Sequence, residues 1–438
     1  MSKNPNSKSE AAVPMHDSEW GDLGAVSPPA FIDFYAGCGG LSLGFMLAGW
    51  RGLFAIEKEW QAFATLKHNL IEGHEGRSTF DWPEWLTRAP IEVSRLLNDY
   101  PSKLEALRGR VTAMIGGPPC QGYSDAGKRN KNDPRNKAYK DYIKAVGIAR
   151  PALLLLENVR GITNGFGKNS RPHSALIKRE LEEIDYVVHT GIVDASKHGV
   201  PQQRVRFFAV GIDGRTFSNA KEVDPFALLE KGRVAFLERR GLPVMGKITV
   251  KDAISDLETK GRSLIPCRGF KGFKQLQYEG SKTAYQKYLR EGMNGEAPNS
   301  LRLVNHRPPT IARFKIIQQQ YRRGIHLSEA ERTELGIKKH TVMVLDDESP
   351  SFTITTLPDD NIHYSEPRIL TVRENARLQS FPDWFAFKGK YTTGGKARVH
   401  EVPRYTQVGN AVPPVLASAW AECLAEILKK LHPRIECA

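Results

Sequence analysis

Cysteine is scarce in this chain: five residues, at positions 38, 120, 267, 423 and 437, widely separated and forming neither a CxxC pair nor a Cys/His cluster. An odd, dispersed set gives no disulfide framework and no zinc ligation pattern. No metal site is expected, and the usage fits a reducing cytoplasm, where a lone thiol in an unusual loop becomes a candidate nucleophile. Long apolar runs are also missing: none approaches the roughly 20 residues a membrane helix needs, so no membrane association is expected. Residues 1–29 have no apolar h-region and are rich in Ser, Asn, Pro and acidic side chains, which reads as a disordered tail and not a signal peptide. There is no internal repeat, and no low-complexity tract beyond that tail.

What the chain has in excess is positive charge, 63 Lys+Arg against 49 Asp+Glu for a net +14. The excess is concentrated, because residues 231–340 hold 23 Lys+Arg against 10 Asp+Glu. A polyanion is a natural partner for such a segment, and a solvated basic surface is the plainer explanation; charge alone does not separate them.

From residue 30 the sequence alternates short apolar runs with helix-compatible stretches: AFIDFYAG, LSLGFMLAGW, GLFAIE, EWQAFATLKHNL. VTAMIGG (111–117), ALLLLENV (152–159), YVVHTGIV (186–193) and VRFFAVGI (205–212) continue the rhythm as buried strands. This pattern predicts an α/β fold, a mostly parallel sheet covered on both faces. Residues 30–214 form the first part of that domain. Residues 215–345, more polar and basic with dispersed Gly and Pro, read as a smaller inserted lobe, and 346–438 return to the first domain. SFTITTL reads as a short strand. Thr371 and Glu374 form a capping box opening a helix, and VLASAWAECLAEILKKL is an amphipathic final helix with Lys429 and Lys430 near its C-terminal end.

Four motifs carry chemistry. Asp33-Phe-Tyr35-Ala-Gly37-Cys38-Gly39-Gly40 lies between the first strand and a helix, where such sheets meet nucleotide-derived ligands, and Glu57 ends the second strand where ribose hydroxyls would sit. Gly44 arrives too late for GxGxxG, so this motif alone fits a dinucleotide enzyme or a methyltransferase equally. GGPPCQGYS (116–124) sets Cys120 just after a strand in a loop stiffened by Pro118 and Pro119, which exposes a thiol toward the cleft. Strand ALLLLENV delivers Glu157 to the same sheet edge. QQRVRFF (202–208) adds Arg204 and Arg206 at alternate positions of a strand. Both arginines are catalytic candidates; paired guanidinium groups are commonly structural ion pairs, the plainer role for Arg206, and Arg204 is expected in the cleft.

Together DFYAGCGG, GGPPCQGYS, ENV, QQRVR, TVRENARLQSFPD and QVGNAVPP, recurring in order between residues 31 and 416, closely resemble the DNA cytosine C5 methyltransferase family. The resemblance implies a Rossmann-like S-adenosylmethionine-dependent methyltransferase fold with an inserted target-recognition lobe. It implies that Cys120 attacks C6 of cytosine, that Glu157 contacts N3 and the exocyclic amine, and that Arg204 contacts O2. It implies that S-adenosyl-L-methionine lies against Tyr35, Gly37, Cys38, Gly39, Gly40 and Glu57, with Ile91, Pro119, Asn410 and Val412. Where the family commonly has an acidic residue before an apolar one after the third strand, this chain has Pro90 and Ile91; Glu92 is the nearest substitute. Double-stranded DNA is the implied partner, with Gln121, Ser124, Lys128 and Arg129 of the basic loop SDAGKRNKNDPRNKAY or its approach near the phosphates. A cytoplasmic monomer in a prokaryotic restriction-modification system, linked to a cognate endonuclease in function only, completes the expectation.

Three alternatives share parts of this pattern. A tRNA cytosine-5 methyltransferase of the same superfamily has the same motifs, but the large basic insertion favours duplex DNA. A DNA-binding relative without catalysis would not need Cys120, Glu157 and Arg204 intact. A dinucleotide oxidoreductase accounts for the glycine turn and for nothing else.

Overall fold

Six strands build the central sheet in the computed structural model, which describes residues 28–74, 76–119, 138–164, 171–394 and 401–433. They are β1 (Ala30–Phe34), β2 (Arg51–Ile56), β3 (Ala113–Gly116), β4 (Leu153–Val159), β5 (Tyr186–Asp194) and, after the two-residue β6 (Gln202–Gln203), β7 (Val205–Asp213). Their order is β2-β1-β3-β4-β7-β5, parallel from β2 to β4, with β7 antiparallel to both of its neighbours. The α/β expectation holds, and its reason is visible: β1 and β3 are buried along their whole length, as continuous apolar runs demand.

Helices α1 (Gly40–Leu47), α2 (Trp60–Leu66), α3 (Val93–Asp99), α4 (Pro101–Glu105), α5 (Ala138–Ala149), α6 (His173–Glu182) and α7 (Pro225–Glu238) follow the strands. Then come α8 (Val250–Ile254), α9 (Ala284–Leu289), α10 (Pro308–Gln320), α11 (Glu329–Glu334), α12 (Val372–Leu378), α13 (Arg404–Asn410) and α14 (Pro414–Lys430). Helices α1, α7 and α14 pack together as one layer, and α3 to α6 form another. The stretch Arg404–Lys430 is long and apolar enough to cross a membrane by composition, yet 72% of that window is buried inside the protein. Its Trp420 packs tilted against Phe208 of β7 and edge-on against Phe226 of α7. The capping box at Thr371 and Glu374 is formed, and all seven residues of α12 are buried.

Two sequence expectations are displaced. SFTITTL yields only β11 (Ser351–Phe352), which follows the small strands β8 (Leu264–Pro266), β9 (Lys274–Leu276) and β10 (Met343–Val344) and pairs in parallel with β6. No third strand lies between β2 and Pro90 among the described residues; the segment leading to Pro90 and Ile91 is loop up to α3. The inserted lobe also does not pack as one unit over 215–345. Phe217, Leu229, Phe236, Val250, Ile254, Tyr285 and Leu289 bury into the main core. A separate small core begins later, from Phe314, Ile317, Leu327, Val342 and Val344, and runs past 345 to Ile362 of β12 (Asn361–Ile362) and Ile369. Polarity and charge located the insertion, but apolar positions facing the sheet, not composition, decide where the packing changes.

Candidate active site

The turn after β1 is built by left-handed backbone: Tyr35 at φ 61°, Gly37 at 58° and Gly39 at 94°. Nothing lies within 4 Å of where a Cβ on Gly37 would be, so the turn borders open space. At Gly40 the opposite holds, since a Cβ would stand 2.4 Å from the Val412 carbonyl oxygen. The carboxylate of Glu57 ties this turn to the end of β2: Oε2 accepts from Gly37 N at 2.8 Å and Oε1 from Glu59 N at 2.7 Å. Each oxygen keeps a further lone pair for a hydroxyl. Burial raises the Glu57 pKa, opposed by those backbone donors. Ile91 N donates to Glu57 O at 2.8 Å, which brings Ile91 to the same corner. Glu92, in contrast, is exposed and paired with Lys58 at 3.4 Å. A nucleoside with free ribose hydroxyls fits this arrangement of open glycine turn, two-oxygen acceptor and apolar Ile91.

Cys38 does not present its thiol to that space. It is 2% exposed, its Sγ donates to Gln407 O at 3.7 Å, and burial pushes its pKa up to about 12, so it stays a neutral thiol.

At the next sheet edge, Glu157 and Arg206 meet, Oε1 to Nε 3.2 Å, with side chains 12% and 13% exposed. The register that pairs Val159 with Arg206 across β4 and β7 explains the meeting. Burial raises the pKa of Glu157; Arg206, then Arg204, oppose it. A Cβ on Gly117 would sit 3.5 Å from Glu157 Oε2, which sets the carboxyl beside the strand end leading to Pro118 and Pro119. Asn158, buried, donates from Nδ2 to Pro118 O at 2.9 Å and so fixes the approach to residue 120.

Arg204 corrects the expectation placed on it. Its side chain enters the protein and not the cleft: the residue is 2% exposed, with Nη2 donating to Gly409 O at 3.1 Å and Nη1 to Ile354 O at 3.4 Å. The arginine in contact with the site carboxylate is Arg206, which the sequence offers as a catalytic candidate beside Arg204, with a structural ion pair as its plainer role. Alternation along a strand misled here because the ladder breaks at Arg204, between β6 and β7.

Asn410, exposed at the end of α13, and Val412, 8% exposed just past it, return the chain to the glycine turn through the Val412–Gly40 approach. Pro119 is half-buried beside Asn158's partner Pro118. Cys120, Gln121, Ser124, Lys128 and Arg129 lie outside the described residues.

Sequence reasoning missed four residues around the site. Asn158 was quoted only as part of ENV; its polarity inside an otherwise apolar strand was the signal. Gln202 and Gln379, both fully buried amides, had no sequence signal beyond their motifs. Asp33 is buried beneath the glycine turn, accepts from Ser42 Oγ and has its pKa raised by burial to about 7.

Comparison with known proteins places the chain in a family. Residues 30–426 match the family model described as C-5 cytosine-specific DNA methylase. The chain is similar to the type II methyltransferase M.DdeI of Desulfomicrobium norvegicum, 30% identical over 415 residues, covering 92% of this chain and 89% of that protein. It is also similar to M1.HphI of Haemophilus parahaemolyticus, 29% identical over 404 residues, with 91% and 87% covered. A solved structure of a protein proposed as a DNA modification methyltransferase, encoded within an E. coli prophage, shares the fold. Its TM-score is 0.60 at 24% identity, covering 92% of this chain and 99% of that one. With a family match spanning the sheet, the glycine turn, the Glu157 edge and the return through α13, the chain belongs to the C-5 cytosine-specific DNA methylase family.

Proposed function

We propose that the protein methylates C5 of a cytosine rotated out of a specific duplex DNA sequence, with S-adenosyl-L-methionine as donor and Cys120 as covalent nucleophile, as the modification enzyme of a restriction-modification system. The observation that carries this is the buried Glu157–Arg206 pair beside the Gly117–Pro119 segment that leads directly to Cys120. The type II assignment of the relatives supports the restriction-modification role.

Cytosine C5 is a poor nucleophile until addition at C6 turns the ring into an enamine. In this reading the Cys120 thiolate forms a C–S bond at C6. Glu157, with a raised pKa, donates a hydrogen bond or proton at N3 where negative charge develops. Arg206 orients that carboxyl and, by its own charge, keeps the pKa from rising further. The donor, when bound, supplies an electrophilic methyl on a sulfonium sulfur. Once C5 carries that methyl group, its proton passes to water and the C6–S bond breaks, which returns the Cys120 thiolate and restores the ring. Gly37, Gly39, Gly40, Tyr35, Glu57 and Ile91 hold the donor on one side, and Pro119, Asn410 and Val412 close the other. Rotation of the base out of the stack costs a few kcal/mol, offset by contacts in the pocket. DNA lies against the small core that follows residue 304, from which Arg307, Lys315, Arg322 and Lys338 project into solvent. Gln121, Ser124, Lys128 and Arg129 approach the phosphates from the other side of the cleft.

Methyl transfer from labelled S-adenosylmethionine to mixed-sequence duplex DNA tests the reading, with wild type compared to Cys120→Ser and the 5-methylcytosine mapped. Transfer by wild type that is lost in the variant is the expected result. Transfer to tRNA and not to DNA would overturn the substrate assignment, and transfer that survives in Cys120→Ser would overturn the covalent mechanism.

A further inference from the structure

The last turn of α13 ends without the left-handed glycine that commonly closes a helix; Ala411 at its C-cap is extended, with φ −66° and ψ 148°. Of its terminal carbonyls, Val408 O accepts a backbone bond from Ala411 N at 3.3 Å. Side chains from three distant segments reach this one and its neighbours. Cys38 Sγ, in the glycine turn, donates to Gln407 O. Gln379, just past α12, donates from Nε2 to Val408 O at 2.7 Å and Ala411 O at 3.3 Å. Arg204, between β6 and β7, donates to Gly409 O.

Gln379 is itself held by a second amide. Gln202 of β6 donates from Nε2 to Gln379 Oε1 at 2.9 Å and to Leu378 O at 3.1 Å, and its Oε1 accepts from Ile354 N at 2.8 Å. Both amides are fully buried, and both of their NH2 groups are saturated, so neither can flip without orphaning a donor or acceptor. Ile354 is also where Arg204 Nη1 ends. One hydrogen-bonded chain therefore runs from Ile354 through Gln202 and Gln379 to the 408–411 turn, and Arg204 closes it into a loop. Beyond that turn, Val412 O stands against Gly40 with no room for a methyl group.

We propose that Gln202 and Gln379 are positioning residues that couple the cofactor turn to the strand carrying Arg206, so that filling the cofactor site and filling the base pocket reinforce each other. The inference rests on the functional reading above, in which Asn410 and Val412 face the donor and Arg206 orients the Glu157 carboxyl at the base. A ligand seated against residues 35–40 and 410–412 fixes Val412 O and with it the 408–411 turn. The turn fixes Gln379, which fixes Gln202 and the start of the strand leading to Arg206 and Ile354. Coupling of this kind is reciprocal, so DNA in the pocket must tighten the cofactor site by the same factor.

Hydrogen exchange of the full chain with and without S-adenosylhomocysteine, read together with calorimetric binding of the same compound, tests this. In wild type, binding is expected to protect amides of 408–412 and also those of 202–206 and 351–355. In Gln379→Met, which keeps the side-chain length and removes both donors, the distant protection is expected to disappear and affinity to fall roughly tenfold. Gln202→Met is expected to lose the distant protection while keeping affinity within about threefold, because the bonds to Val408 and Ala411 remain. A merely structural role lowers the melting temperature but leaves the protection pattern of the folded fraction unchanged, and that result in either variant would overturn the proposal. If neither variant folds, wild type decides: protection confined to 35–40 and 408–412 would sink the coupling. Failure of wild type to bind the compound at all would overturn the functional reading and this inference with it; binding without transmitted protection would overturn the inference alone.

Discussion

Glu157 and Arg206 form a nearly dry ion pair, 3.2 Å apart, in which burial and charge act on the carboxyl in opposite directions. Burial raises the pKa of Glu157 and the guanidinium of Arg206 holds the rise in check. Removing the cation while leaving the carboxyl must therefore raise the pKa further. For Arg206→Ala we expect single-turnover methyl transfer to fall about a hundredfold, and its alkaline limb, where Glu157 loses the proton it donates, to move to higher pH. Glu157→Gln is expected to be at least as slow and to lose that limb. An alkaline limb at the same pH in wild type and Arg206→Ala would show that Glu157 is not the titrating group.

The glycine turn makes a paired prediction. Gly40→Ala puts a methyl 2.4 Å from Val412 O and 3.1 Å from the Phe381 ring, so backbone must shift. Overpacking of this kind costs about 1 to 3 kcal/mol, and the melting temperature should fall accordingly. Gly37→Ala meets no atom, and pays only the strain of a left-handed φ of 58°, about 1 kcal/mol. Its methyl enters the space assigned to the donor, so S-adenosylhomocysteine binding should be lost from a protein that is nearly as stable as wild type. Calorimetry and thermal melts on the two variants separate these effects; full binding by Gly37→Ala would remove the turn from the cofactor site.

Much of this was legible before any coordinate. Apolar runs specified β1, β3 and β4 because a strand buried on both faces leaves few polar positions, and the glycine turn was legible because glycine serves the left-handed bend at residues 37 and 39 and the crowded one at 40. The roles of Arg204 and Arg206 were not. Sequence gives the alternation of a strand but not where its ladder breaks, and a two-residue strand followed by a gap sends Arg204 inward. The start of the inserted lobe was misplaced for a related reason. Composition reports the charged outer face of α7 to α9, whereas the domain they belong to is set by the apolar residues they bury.

Asp33 gives a stability prediction whose sign is opposite to that of an ordinary paired carboxylate. Burial raises its pKa from 3.8 to about 7, and its Oδ1 has no partner among the described residues. The folded state therefore favours the protonated acid. Its contribution is fully present below about pH 4, falls as pH rises and levels off above about 7. Between those limits the loss is about 1.4 kcal/mol per pH unit for this one group. Asp33→Asn keeps an acceptor for Ser42 and cannot ionise. The difference in unfolding free energy between wild type and the variant, from denaturant melts at pH 5 to 8.5, should shrink and then plateau. A difference that is flat across that range would show that Asp33 is not protonated in the folded protein.

The small core around α10 should be separable from the rest of the protein in function. Ile317 is fully buried there with Phe314, Leu327, Val342, Val344, Ile362 and Ile369, and contributes nothing to the main core. Ile317→Ala removes three carbons from a site with little room to collapse, at a cost of about 3 kcal/mol. That cost falls first on α10 and the β10–β12 pair, because the main core has lost no contact. The neighbouring bonds from Gln318 Nε2 to His363 O and Glu366 O, both 2.7 Å, should open with it. Since Arg307, Lys315, Arg322 and Lys338 are displayed on this core, duplex DNA binding should weaken at least tenfold and lose part of its salt dependence. S-adenosylhomocysteine, bound at residues 35–57 and 410–412, should bind within twofold of wild type. Calorimetry for the compound and a salt series of DNA binding isotherms measure both. If DNA affinity holds while hydrogen exchange shows α10 opened, this core is not the DNA-facing surface, and the basic residues of 231–303 become the place to look.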